Sequence, residues 1–515
     1  MDNPKSPIEN PKSSCVVVLG AARQGLALAR YLVARGARVV LSDMKADVDV
    51  SALAGLPGAQ ADAIRYALGG HPLSLLDECD TLYLSGGVPI DLPIVVEARR
   101  RGIPLSNDAQ LFFEVCPAPI LAITGSAGKT TTTTLVGEML KAHVNAGGRW
   151  RTALRRPTPE GEMLQADVNA GGASPARVWV GGNIGNPLIA DADQIQPGDY
   201  VVMELSSFQL ELMSRSPHIA CITNITPNHL DRHGTMEAYI AAKRNIVAFQ
   251  SEDDWQVLNA DDLVTRGLNT SARTAWFSLE HEPHGDGAWL DDNGDLRVRI
   301  AARGFEHRVC HRRDLQLMGR HNIANVLAAG ALSAIAGASV EAIRAVATTF
   351  KGVAHRLQLV AEAGGVRYYD DSIATAPERL AAALKCFEQP VILLCGGRDK
   401  HLPWAEAVAL MRRRCKHIVL FGEMAGLVRE EIERQWAGPA GGPPVTLCQT
   451  LEEAVDAAAA AARPGDVVLL SPGGTSYDAF KDFAERGDRF ARLARGLAGE
   501  APSGEGIGPA RLEQE

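Results

Sequence analysis

None of the nine cysteines in this chain stands in a Cys-x-x-Cys pair. Several, such as Cys15, Cys221 and Cys395, sit inside apolar runs, so they read as buried thiols in a reducing compartment. Positive charge is not in excess either. A net charge of −9 and a pI near 5.9 argue against a nucleic-acid partner, whose footprint is basic. Anionic ligands remain open to it through local glycine loops and Lys or Arg side chains. No apolar run is long enough to span a bilayer. The polar opening stretch, residues 1–14, has no apolar segment of the signal-peptide kind and is expected to be disordered. The expectation is a cytoplasmic protein.

What is present is a long chain of 515 residues, 46% hydrophobic and 22% charged. That is too long for one core and predicts about three soluble domains. The stretch around which they are organised is 119–134. Ile120–Ile123 reads as a buried strand, and Thr124-Gly125-Ser126-Ala127-Gly128-Lys129-Thr130-Thr131 as a glycine turn opening a helix. Backbone N–H groups at such a helix start point at an anion, Lys129 adds a charge, and the Thr130 hydroxyl can hold Mg²⁺. The ordinary phosphate-loop spacing would need glycine at 123, where Ile stands, so T-G-x-x-G-K-T is a shorter variant.

Upstream, Cys15–Gly20 is a buried strand. A turn through Gly20, Arg23 and Gly25 follows, then a helix, then the strand Arg38–Asp43 ending in an acid. This is the layout of a Rossmann-like nucleotide unit, with Ala22 where the middle glycine of the dinucleotide fingerprint would be. A second strand, Thr81–Leu84, ends in the glycine loop Gly86-Gly87. The first domain is expected to end at 117.

Downstream, residues 143–176 hold the pentapeptide Val-Asn-Ala-Gly-Gly twice and read as a surface insertion. Asn183 lies in a glycine loop after a strand. Glu204 ends a buried strand, and His229 follows another. Each is of a type that an octahedral Mg²⁺ accepts beside phosphate oxygens, Glu204 more readily because Mg²⁺ prefers oxygen. Lys243 sits between apolar residues of a helix and reads, alone, as a solvated lysine. Residues 255–317 read as short strands with a hairpin tip at 291–295. Asn322 and Asn325 share a face at the start of an Ala-rich helix, for capping or for purine recognition. From about 352 a third open α/β sheet is predicted, with glycine loops after its strands, and beyond 497 a disordered tail.

Taken together, these motifs resemble the Mur ligase family. They are Thr124–Thr130, Gly182-Asn183-Ile184-Gly185, Glu204–Gln209, Asn224–Asp231, Gly319–Asn322, His355-Arg356 and Ser471–Gly474, and the likeness covers about 15–497. The resemblance implies an α/β protein of three domains. A Rossmann-like N-terminal domain (15–117) would hold the UDP part of UDP-MurNAc-L-alanine through Gly20, Arg23, Asp43, Gly86 and Gly87, with Asn183. A central P-loop-type ATPase domain (118–351) would bind ATP through Gly125, Ser126, Ala127, Gly128, Lys129, Thr130, Thr131 and Asn325, with Arg356 and Asp371. A Rossmann-like C-terminal domain (352–497) would bind glutamate through Thr375, Lys400, Ser476 and Phe483.

The implied activity is ATP-dependent addition of D-glutamate through an acyl phosphate. Thr130, Glu204, His229 and a carbamylated Lys243 would be metal ligands, and Lys129, Lys243 and His229 catalytic. A monomer is expected. Ile373 departs from the family's Asp-Ser-Lys-Ala-Thr and keeps an L-glutamate-adding variant in view. A folylpolyglutamate synthase-like ligase lacks a domain like 15–116. Ala22 and the phosphate loop argue against an NAD-dependent oxidoreductase. A non-catalytic nucleotide-binding regulator would not need Glu204, His229 and Lys243 together.

Overall fold

The computed structural model describes residues 14–149, 155–157, 163–165, 175–268, 270–317, 319–399, 402–436 and 441–499. Apart from Ser14, 498 and 499, the terminal segments expected to be disordered lie outside these residues, as does Lys400. The chain forms two compact units, divided between Phe350 and Lys351.

The first unit holds two large sheets. Its first is all parallel: β1 (Cys15–Leu19), β2 (Arg38–Asp43), β3 (Ile64–Leu68), β4 (Thr81–Leu84) and β5 (Leu105–Ser106), in the order β3-β2-β1-β4-β5. Val16–Leu19 are all buried, as a strand covered on both faces requires. The chain winds outward from β1 to β3 and then crosses to β4. The ends of β1 and β4 therefore flank a topological switch point, where such sheets bind ligands.

The next sheet starts with β6 (Ile120–Thr124). Within the 143–176 segment, β7 (Arg155–Pro157) and β8 (Met163–Gln165) pair antiparallel as a separate ribbon; most of that insertion lies outside the described residues. The sheet continues with β9 (Val178–Gly182), β10 (Tyr200–Glu204), β11 (Ile219–Ile222), β12 (Trp255–Asn259), β13 (Arg273–Ser278), β14 (Gly287–Leu290), β15 (Asp295–Ile300) and β16 (Phe305–His311). The order is β16-β15-β14-β13-β12-β11-β6-β10-β9, parallel except for the β14-β15-β16 meander. β6 lies between β10 and β11, so Thr124, Glu204 and Thr223 emerge side by side at one edge. One hydrophobic cluster joins Val18, Leu111 and Phe112 to Ile120, Val201 and Leu258, so the two sheets share a core.

The second unit holds β17 (Gln358–Ala363), β18 (Val366–Asp370), β19 (Val391–Gly396), β20 (Cys415–Phe421), β21 (Val445–Leu447) and β22 (Val467–Gly473), ordered β17-β18-β22-β19-β20-β21. Side chains alternate along β19. Leu393 and Cys395 enter one core cluster, and Ile392 and Leu394 the other. Among the described residues no helix is long and apolar enough to cross a membrane.

Candidate functional site

The predicted phosphate loop joins β6 to the helix Lys129–Asn145. Two of its glycines are required by geometry. Gly125 has φ 151°, and a Cβ there would lie 1.9 Å from Thr223 Oγ1. Gly128, at φ 83°, caps the helix, and a Cβ there would meet Asn325 Oδ1 at 2.4 Å. The loop is pinned from β11's end: Ser126 N donates to Asn224 O (2.9 Å), Ala127 N to Asn224 Oδ1 (3.0 Å), and Thr223 Oγ1 to Ala127 O (2.6 Å). Ser126 Oγ also meets Tyr239 OH at 3.0 Å. Lys129 curls back, its Nζ donating to Gly125 O at 3.0 Å. Thr131 is buried in the helix's first turn.

Against this loop lies Glu204, 2% exposed at the end of β10. Its Oε2 accepts from Thr130 Oγ1 (2.8 Å) and its Oε1 from Asn183 Nδ2 (2.8 Å). The pair Thr130–Glu204 offers hard oxygen donors at a phosphate loop, a set that suits Mg²⁺. Among the described residues, no three His, Cys, Asp or Glu side chains converge as a metal cage. A cation here would therefore draw its remaining ligands from bound oxygens or water. His229 stands exposed in left-handed conformation (φ 53°), its ring edge-on to Phe208 at 5.2 Å.

Lys243 is not the solvated helix lysine that its local pattern, taken alone, suggests. Its side chain is 1% exposed, and Nζ donates to Gly125 O (2.9 Å) and to Thr124 Oγ1 (3.3 Å). Burial, and then repulsion from Lys129, push the amine down to about 6, against a smaller opposing pull from Glu204. The sequence pattern of a lone lysine among apolar residues could not distinguish these cases.

Asn322 does not cap its helix. The N-cap is Gly319, and Asn322 sits inside the first turn, its Oδ1 accepting from Asn325 Nδ2 at 3.0 Å. Asn325 is buried and faces the phosphate loop at Gly128.

At the first sheet, Gly20 (φ 91°) turns the chain after β1, and Arg23 opens the helix Arg23–Ala34 as an exposed side chain. Both Asp43 oxygens accept backbone N–H bonds, from Ala21 (2.7 Å) and Lys45 (2.9 Å). Burial raises the Asp43 carboxyl, but these two donors outweigh it and hold it below the usual range. Val88 N donates to Ser85 O (2.9 Å), closing a turn around Gly86 and Gly87. The N–H groups of those two glycines have no protein acceptor among the described residues.

In the second unit Asp371 directly follows β18, and Ser476 follows β22. Asp371 is buried, accepting from Ser471 Oγ (2.9 Å) and Leu357 N (3.2 Å). Burial raises its carboxyl to about 7 against those bonds and the nearby Arg356. His355 Nδ1 meets Asp370 Oδ2 at 2.7 Å. Burial lowers that imidazole, but the Asp370 bond and charge prevail and raise it. The Phe483 and His355 rings meet edge to face with centroids 6.1 Å apart, and Ser476 is buried beyond the Gly473-Gly474 turn. Thr375 N donates to Ile373 O at 2.9 Å.

Sequence reasoning passed over Arg486. It is fully buried, with Nε on Ser372 Oγ (3.0 Å) and Nη2 on Ser372 O (2.9 Å) and Gly474 O (3.2 Å), while Nη1 has no hydrogen-bond partner among the described residues. Burial pulls this guanidinium down to about 10. In sequence it is one of four arginines spaced three apart, at 486, 489, 492 and 495, and nothing there singles it out.

Three family models match in order: the Mur ligase MurD-like N-terminal domain over residues 14–107, the Mur ligase middle domain over 123–333, and the Mur ligase glutamate ligase domain over 355–474. The chain is 39% identical over 490 residues to the UDP-N-acetylmuramoylalanine--D-glutamate ligase of Symbiobacterium thermophilum, covering 93% of this chain and 98% of that one. It is 38% identical over 499 residues to the protein of the same name from Acetivibrio thermocellus, covering 96% and 98%. The crystal structure of UDP-N-acetylmuramate-alanine ligase MurC from Thermotoga maritima matches the fold with a TM-score of 0.51 at 19% identity, over 94% of this chain and 99% of that one.

Proposed function

Because the chain belongs to the Mur ligase family, we propose that it joins D-glutamate to UDP-N-acetylmuramoyl-L-alanine at the expense of ATP. The observation that carries this reading is the buried Lys243 amine, 2.9 Å from Gly125 O in the phosphate loop that also binds Glu204 through Thr130. An ordinary phosphate-loop hydrolase has no need to bury a second lysine there.

The chemistry follows from the substrates. A carboxylate is a poor electrophile, so the terminal L-alanine carboxylate first takes the γ-phosphoryl group, giving an acyl phosphate and ADP. The glutamate amine adds to the acyl carbon, the tetrahedral adduct expels phosphate, and the amine's proton leaves to solvent or base. Two anions must meet for the first step. Lys129 and the N–H groups of the 125–131 loop are assigned to the phosphates, where charge shifts toward the bridging oxygens. Thr130 and Glu204, with His229, are the residues that would hold Mg²⁺, which supplies charge neutralisation at the transferring phosphoryl group. Lys243, neutral above about pH 6, is in the form that adds CO₂, with loss of a proton, to become a carbamate. That anion would extend the oxygen ligand set.

Gly20, Arg23, Asp43, Gly86, Gly87 and Asn183 are assigned to the nucleotide sugar. Asn325, Arg356 and Asp371 are assigned to ATP, and Thr375, Lys400, Ser476 and Phe483 to glutamate. Segments 15–117, 118–351 and 352–497 would then be the three functional domains.

Phosphate release is the test, with UDP-MurNAc-L-alanine and either D- or L-glutamate. Turnover with D-glutamate supports the reading, and turnover with neither overturns it. Turnover with L-glutamate alone makes the protein the L-adding variant, with Ile373 the first residue to exchange.

A further inference from the structure

Two segments carry Glu204 and His229 away from the phosphate loop, and both run on to the turn Ser85–Val88 of the first sheet. The first continues from Glu204 through Phe208 to Gln209. A Cβ on Gly86 would come within 4.0 Å of Gln209 Cγ, and Gln209 O accepts from Asn107 Nδ2 at 2.8 Å. The second continues from His229 to Arg232. There Nη2 donates to Val88 O at 2.5 Å and Nη1 to Gly87 O at 3.4 Å. The guanidinium also lies over the Phe208 ring, 4.6 Å from its centroid, and the His233 ring stacks on Phe208 with centroids 5.2 Å apart. Arg232 thus bridges the two segments and grips the glycine turn by its carbonyls.

Gripping carbonyls has a consequence for the amides. The turn is closed by Val88 N donating to Ser85 O, and among the described residues the N–H groups of Gly86 and Gly87 have no protein acceptor, which leaves them for a ligand. A planar, always-charged fork on two successive carbonyls fixes the turn's orientation, and the free amides with it. Two neighbouring free amides beside a helix start suit an anion of the diphosphate kind. We propose that Arg232 is a positioning residue. It holds the Gly86-Gly87 turn in the form that accepts the nucleotide-sugar diphosphate, from the same short helix that His229 caps. This rests on the ligase reading above, and it makes affinity for the nucleotide sugar depend on a side chain contributed by the phosphate-loop domain.

The test is titration calorimetry of the full chain with UDP-MurNAc-L-alanine and, separately, with a non-hydrolysable ATP analogue, for wild type, Arg232→Ala and Arg232→Lys. Loss of a charged hydrogen-bond fork predicts that Arg232→Ala weakens the nucleotide sugar roughly 10- to 100-fold. The ATP analogue should bind as in wild type, and Arg232→Lys, which reaches one carbonyl, should recover part of the loss. In turnover the same variant should raise KM for the nucleotide sugar and leave kcat within about threefold. Equal nucleotide-sugar affinity in wild type and Arg232→Ala would overturn the proposal alone. A parallel fall in both affinities and in Tm would also overturn it, since a general structural role moves all three. A wild type that binds no nucleotide sugar would instead overturn the ligase reading beneath it.

Discussion

At neutral pH the Lys243 amine is uncharged in the folded protein and charged in the unfolded chain, because burial has brought it from 10.5 down to about 6. Between those two values the unfolded state binds one more proton, so this residue's share of stability rises with pH from about 6 to about 10.5. Below about pH 6 the cost is complete, and near pH 7.5 it is on the order of 4 kcal/mol before relaxation. A site that carries such a cost is a site of function rather than of stability. Lys243→Met removes the cost but leaves Gly125 O and the Thr124 hydroxyl without the amine. The net expectation is a Tm a few degrees above wild type near pH 7.5 in CO₂-free buffer, with the gap closing toward pH 10. The same variant should lack ligase activity. Scanning calorimetry at both pH values checks the stability claim, and a Tm difference that does not change with pH would refute it.

The helix Asp108–Val115 joins the first sheet to the next through its N-cap. Asn107 Oδ1 accepts from Gln110 N at 2.8 Å, while its Nδ2 donates to Gln209 O at 2.8 Å, and the residue is buried. Asn107→Ala loses a cap and a buried bond together, for about 2–3 kcal/mol. The urea midpoint should fall accordingly, whereas Asn107→Asp, which can still cap, should recover part of it. Elements of this kind mark the boundary of what the sequence shows. The strands ending at Thr124, Glu204 and Ile222 are legible because apolar runs end in glycine or polar turns, and the hairpin tip at 291–295 is legible from its turn residues. The antiparallel β14–β16 extension follows from the short alternating run. Of the two readings open for Asn322, capping does not hold, because Gly319, three residues earlier, already starts the helix. Burial of Lys243, the reach of Arg232 to Gly87 and the orientation of Arg486 are all set by distant partners. Local pattern carries no trace of those partners.

Three matched family domains agree with the three domains that composition and motif order suggest, and packing groups them into two units at Phe350. The grouping rests on shared apolar surface. Leu111, Phe112 and Phe113 from the end of the first segment enter one cluster with Leu188, Ile189 and Leu210 of the next. A break near 117 would expose both halves of that cluster, several large side chains at about 1.5–3 kcal/mol each. Among the described residues, the second unit's two core clusters are built from residues after 356. Fragments 14–350 and 351–499 should therefore each fold alone, with a cooperative thermal transition and dispersed amide resonances. Fragment 118–350 should aggregate or bind a hydrophobic dye, and adding 14–117 in trans should reduce that binding. Cooperative folding of 118–350 alone would show that the shared cluster is not needed for stability. The first two sheets would then be separable domains rather than one unit.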